Sequence, residues 1–131
     1  MNNLKFRAWD KKLKLLRNVS YIDFERKKMI YHNGFVSYYA NFEDAEIMQS
    51  TGLKDKNGKE IFEGDIVQYL DGEYSFIGVV KISAFGIYAK NKYDNYNFED
   101  FADENTKEAD VAVIGNIYEN KGLLENERGK R

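Results

Sequence analysis

The chain has 131 residues, 43% hydrophobic and 32% charged, with a formal net charge of −2 and neither cysteine nor proline. That length holds one domain, or two small lobes sharing a core, and the apolar fraction is enough to offset chain entropy, which excludes a globally disordered chain. The missing cysteine excludes disulfides, thiol nucleophiles and thiolate metal sites, and no stretch approaches the roughly 20 apolar residues that a membrane-spanning helix needs.

From the N-terminus the pattern predicts a β meander: LKFRAW, a DKKLK turn, LLRNVSYIDFE, then KKMIYHNGFVSYY, with β-branched and aromatic residues between polar breaks. Leu4, Phe6 and Ala8 share one face of the first strand and Lys5 and Arg7 the other, as expected of a sheet with one side on a core. His32-Asn33-Gly34 has the chemistry of a tight turn. Residues 41–48 read as a short helix, with Asn41 as cap, Glu43 and Asp44 in its first turn, and Ile47 and Met48 as buried anchors. Thr51 to Lys59 reads as a connector built on the Asp55-Lys56-Asn57-Gly58 turn, and Glu63-Gly64-Asp65 supplies a second bend.

Short β segments then recur at turn-limited spacing: DIVQYL, DGEY, FIGVVKIS, FGIYAKN and DVAVIGNIYEN. The expected fold class is mainly β: an N-terminal antiparallel meander plus a small C-terminal SH3-like barrel or bent sheet, with one or two short helical turns. The chain is read as a single domain, 1–131, with lobes at 1–50 and 60–120 and a polar tail at 121–131. The acidic segment before the last strand is a loop with a helical turn.

Charge is distributed unevenly. Residues 1–33 carry nine Lys/Arg against three Asp/Glu, and residues 94–110 carry one against seven. Lys5, Arg7, Lys11, Lys12, Lys14 and Arg17 stand among Phe6 and Trp9, an interleaving of cations and stacking surfaces that would suit nucleic acid. A solvated lysine face is the better expectation, because strand alternation sends Phe6 to the core and the sequence pI is near 5.5. The acidic segment with Tyr93, Tyr96, Phe98 and Phe101 would imitate a phosphate ladder, but inward aromatics under outward acids is the simpler reading.

Chemistry leaves few traces. His32 is the only histidine and sits beside a turn, so it reads as a solvated surface residue rather than a general base. Glu60, Glu63 and Asp65 lie close together, but lysines crowd the same stretch and Asp55-Lys56-Asn57-Gly58 matches only a fragment of a calcium loop. No metal and no cofactor are expected, and no nucleophile elbow, phosphate loop or HExxH helix is present.

The runs LKDKNGKEIFEGDIV (53–67) and VIGNIYEN (113–120), together with KFRAWD at residues 5–10, resemble the YopX family of phages and prophages of Gram-positive bacteria. Ser50 stands where the family pattern has Tyr. The resemblance implies a mostly β fold with the two runs as neighbours and a phage setting, and it carries over no catalytic residue. A binding surface is expected at the connector and the start of the second lobe: Lys54, Asp55, Lys56, Asn57, Lys59, Glu63 and Asp65. The expected function is that of a cytoplasmic, non-enzymatic protein-interaction module in the host cell. Its expected partners are a further copy of itself and an unidentified host or phage protein, with no membrane. The alternatives are an SH3-like nucleic-acid-binding module and a small enzyme with an unrecognised carboxylate site.

Overall fold

The structure, a computed structural model, describes residues 5–33, 35–84, 86–98 and 102–124. The chain divides into two compact units, Met1–Ser50 and Thr51–Arg131. Both are antiparallel β structures, so the mainly β class read from the sequence holds.

In the first unit β1 (Phe6–Asp10), β2 (Leu15–Asp23), β3 (Lys28–Asn33) and β4 (Val36–Asn41) form the expected meander. The first half of β5 (Ala45–Lys54) lies along the other side of β1, giving the order β4-β3-β2-β1-β5. Alternation gathers Ala8, Met29, Tyr31, Ala40 and Ala45 into one buried cluster, with Val19, Ile22, Phe42 and Ile47 packed on it. Lacking proline, the chain turns on aspartate. Asp10 Oδ1 accepts from the N–H groups of Lys12 and Leu13, both at 3.0 Å, and Lys14 follows at φ 56°. Asp23 with Lys27 (φ 56°) and Asp103 with Lys107 (φ 62°) repeat the device. A lysine in the left-handed region costs on the order of 1 kcal/mol, which the aspartate bonds offset.

The expected helix over residues 41–48 is corrected to a single 3-10 turn, Phe42–Asp44, followed at once by β5. Asn41 makes no side-chain capping bond. Local capping signals lose here to a long-range pairing: Asp10 faces Ala45, Ala8 faces Ile47 and Arg7 faces Met48 across β1 and β5. Met48 is buried as expected, but from a strand.

In the second unit the end of β5 is joined by β6 (Glu60–Phe62), so the connector narrows to Asp55–Lys59. β7 (Asp65–Asp71), β8 (Tyr74–Ser83), β9 (Gly86–Lys90), β10 (Asn95–Asn97) and β11 (Ala112–Asn116) form a sheet of order β10-β9-β8-β7-β11. Tyr74 and FIGVVKIS, read as separate segments, are one strand entered through the two-residue turn Gly72-Glu73, with Gly72 at φ 61°. Both faces of β7 and β8 are covered. Val67, Phe76 and Val80 pack with Tyr96, Phe98 and Val111 on one side, and Ile66, Ile77 and Val79 with Ile114 and Ile117 on the other. That is why these strands read as apolar runs without alternation. Within the segment read as a tail, Leu123 and Leu124 pack on the second cluster.

Candidate functional site

The seven polar residues expected to form a binding surface separate by burial. Asp55 is 1% exposed. Its Oδ1 accepts from the N–H groups of Asn57 (2.9 Å) and Lys59 (2.8 Å), and its Oδ2 from Val113 N–H at 2.9 Å, 58 residues away. Asp65 is equally buried, and its Oδ2 accepts from Phe62 N–H at 2.8 Å, closing the bend over Glu63-Gly64. Gly64, at φ 90°, donates to Val80 O (2.9 Å) and accepts from Ile117 N–H (3.0 Å). Both aspartates therefore act as acceptors for backbone N–H groups. Lys54, Lys56, Asn57 and Lys59 remain exposed and Glu63 is half-buried, a solvated turn of point charges.

The run VIGNIYEN at 113–120 is just as architectural in its bonding. Asn116, 5% exposed, accepts on Oδ1 from Tyr118 and Glu119 N–H, both at 2.9 Å, and donates from Nδ2 to Glu119 Oε1 at 2.8 Å. Asn120 Oδ1 accepts from Asn116 N–H at 3.2 Å, lying where any Cβ on Gly115 would stand. The two runs are neighbours: Asp65 faces Asn116, Ile66 faces Gly115 and Val67 faces Val113.

The basic block of the first unit is largely engaged. Lys11 Nζ lies 3.0 Å from Glu46 and Lys12 Nζ 3.5 Å from Asp44. Arg26 lies 3.1 Å from Asp23, whose carboxyl is held below its ordinary value by the Arg26 backbone N–H first and its guanidinium second. Arg7 is buried, contrary to its place on an expected solvated face. The Arg17 guanidinium lies 5.0 Å from the Tyr38 ring centre and 5.9 Å from that of Tyr31. Lys14, Lys27 and Lys28 stay exposed. His32 is an exposed cross-strand neighbour of Ser37, with Nδ1 3.0 Å from its hydroxyl. In the acidic segment Tyr96 and Phe98 point inward while Asp94, Asp103, Glu104, Glu108 and Asp110 are exposed; Phe101 lies outside the described residues.

Among the described residues no three His, Cys, Asp or Glu side chains are placed to hold a metal ion, and no helix is long and apolar enough to cross a membrane. A cleft of about 340 Å³ in the second unit is lined by Leu53, Ile87, Phe98 and Ala102 with Asp103 and Lys107.

Comparison with known proteins decides the kinship: the profile of the family described as "YopX protein" matches residues 5–125. The chain belongs to the YopX family. It is also similar to the crystal structure of protein EF1440 from Enterococcus faecalis, at 30% identity over 95% of this chain and 99% of that one, with a TM-score of 0.65. No match is found among curated proteins. In this YopX family member the signature runs thus carry turn and strand architecture, and their interior residues are bonded to backbone.

What sequence reasoning did not place is an apolar surface. Eight large apolar side chains of the first unit are exposed, among them Tyr21 (58%), Phe24 (72%) and Tyr39 (67%), against three in the second unit among the described residues. Tyr21, Ile30 and Tyr39 face one another across β2, β3 and β4, on the side of the sheet away from Met29 and Ala40. The signal in the sequence is β4 itself, VSYYAN, a strand with no charge.

Two buried phenols, Tyr31 and Tyr96, tie the stability of this chain to alkaline pH. Burial first, and then nearby Asp10, raise the Tyr31 hydroxyl above its ordinary 10.0, with Arg17 opposing. Burial first, and then its neighbour Tyr69, raise Tyr96 far above 10.0. A phenol whose folded-state value is raised favours the neutral form, so its stability contribution is complete below the unfolded value of 10.0 and is lost as pH rises past it. The melting temperature is therefore expected to fall steadily above that pH, with Tyr31 and Tyr96 ionising later than a free phenol in a spectrophotometric titration of the ten tyrosines. The Tyr31 hydroxyl has no hydrogen-bond partner among the described residues, so Tyr31→Phe should cost nothing at neutral pH and flatten part of the alkaline loss. Ten tyrosines titrating together while the fold persists would contradict this.

Proposed function

We propose that this YopX family protein is a non-catalytic, cytoplasmic interaction module of a phage or prophage, working through protein–protein association and first of all through association with itself. The observation that carries the reading is the exposed apolar surface of the first unit, with its row Tyr21, Ile30 and Tyr39. Contiguous apolar surface held on a regular sheet is costly to leave in water, and exposed tyrosines are the side chains that interfaces favour. The connector residues support the same view from the other side, since Asp55 and Asp65 are bonded to backbone. A nucleic-acid role is placed second because Lys11 and Lys12 sit in ion pairs and Arg7 is buried. Light scattering on the purified chain over a wide concentration range tests the reading. A mass above that of the monomer is expected, reduced by Tyr39→Ser; a strictly monomeric chain that captures no protein partner removes it.

A further inference from the structure

A strand at the end of a sheet presents a row of unused N–H and C=O groups, and folded proteins usually blunt such rows with charge, proline, a bulge or brevity. The outermost strands of this chain differ in how they are blunted. β6 and β10 have three residues each, and the pairing of β11 with β7 is interrupted at Val113/Gly115. β4 has none of these devices among the described residues. It ends the strand order, runs six residues, VSYYAN, without charge, and pairs with β3 in an unbroken register from Lys28↔Asn41 to Asn33↔Val36. Val36, Ser37, Tyr38 and Tyr39 are all exposed, and no described segment of the first unit covers them.

We infer that the open edge of β4 pairs antiparallel with β4 of a second copy, joining two first units into one continuous sheet about a two-fold axis. Antiparallel addition keeps each face on its own side, so Val36 and Tyr38 continue the face that carries Met29 and Tyr31, while Tyr39 extends the outer row of Tyr21 and Ile30. The strand is its own complement: carrying no charge, it sets no like charges against each other when paired with its copy. The exposed surface of Phe35, Val36, Tyr38 and Tyr39 totals roughly 1,000 Å² over both copies, an upper bound on what these side chains bury and the size at which specific interfaces begin. This inference rests on the self-association reading above and specifies its geometry.

The test uses the full chain with Tyr39→Lys and Tyr39→Glu, a position 67% exposed and so tolerant of either charge. Circular dichroism first establishes that both variants fold. Each alone is expected to be monomeric in light scattering, because two like charges meet near the two-fold axis, and an equimolar mixture is expected to recover the wild-type mass. Hydrogen exchange in the wild type should show protection of β4 amides that grows with concentration. Variants that still associate singly overturn the edge pairing while leaving self-association standing. Monomeric variants whose mixture stays monomeric, or association without protection of β4, also overturn it. A wild type that is monomeric throughout overturns the edge pairing and self-association together.

Discussion

Asp55→Asn is expected to destabilise the protein by about 3 kcal/mol, lowering Tm by on the order of 10 °C, although it changes only an oxygen to an amide nitrogen. Asp55 uses both oxygens at once, Oδ1 on Asn57 and Lys59 N–H and Oδ2 on Val113 N–H, from a position 1% exposed. Asparagine offers one acceptor oxygen, so in either orientation its NH₂ faces a backbone donor and a buried N–H goes unpaired. The effect should be a shift in the urea midpoint at unchanged slope, the mark of lost native stability rather than an altered unfolded state. Lys56→Ala and Asn57→Ala, exposed in the same turn, should stay within about 0.5 kcal/mol of wild type. If Asp55→Asn instead melts like wild type, the carboxylate is not what fastens the connector to β11.

The same residue marks what was legible in the sequence. That Asp55 closes a turn follows from its neighbours Asn57 and Gly58, a local signal. That its second oxygen holds Val113 does not, because the partner lies 58 residues on and no period in the sequence links them. The meander strands were legible because β-branched and aromatic runs end at Asp10 and Asp23 turns, and those turns are where the chain bends. Residues 45–48 were not, because their capping-like neighbours suggest a helix while their pairing with β1 is settled far away in the chain. Arg7 shows the limit of alternation: it shares the odd-numbered face with exposed Lys5, yet it is 7% exposed, since alternation gives the side of a strand and not what covers that side. For the candidate site, polarity pointed to the connector, where two of the aspartates are buried, and it gave no sign of the uncharged, exposed strand β4.

Glycine in VIGNIYEN invites a second substitution whose cost has a single named cause. Gly115 is not among the residues with positive φ, so alanine there meets no backbone penalty. A Cβ at Gly115 would instead stand 2.6 Å from Asn120 Oδ1 and 2.8 Å from Asn120 Cβ, too close for a rotation of the amide alone to relieve. Gly115→Ala should therefore push the Asn120 side chain away, lose its bond from Asn116 N–H, and cost about 1–3 kcal/mol. Gly58 makes the contrast: at φ 84° with nothing within 4 Å, its alanine variant is strained in the backbone and finds open space for the methyl group. A double-mutant cycle separates the two mechanisms, since Asn120→Gly removes the three atoms nearest to the Gly115 methyl. In that background Gly115→Ala is expected to cost much less, giving a coupling of about 1 kcal/mol or more in urea unfolding. Equal cost in both backgrounds would show that the packing of Asn120 over Gly115 is not the reason for a glycine at this position.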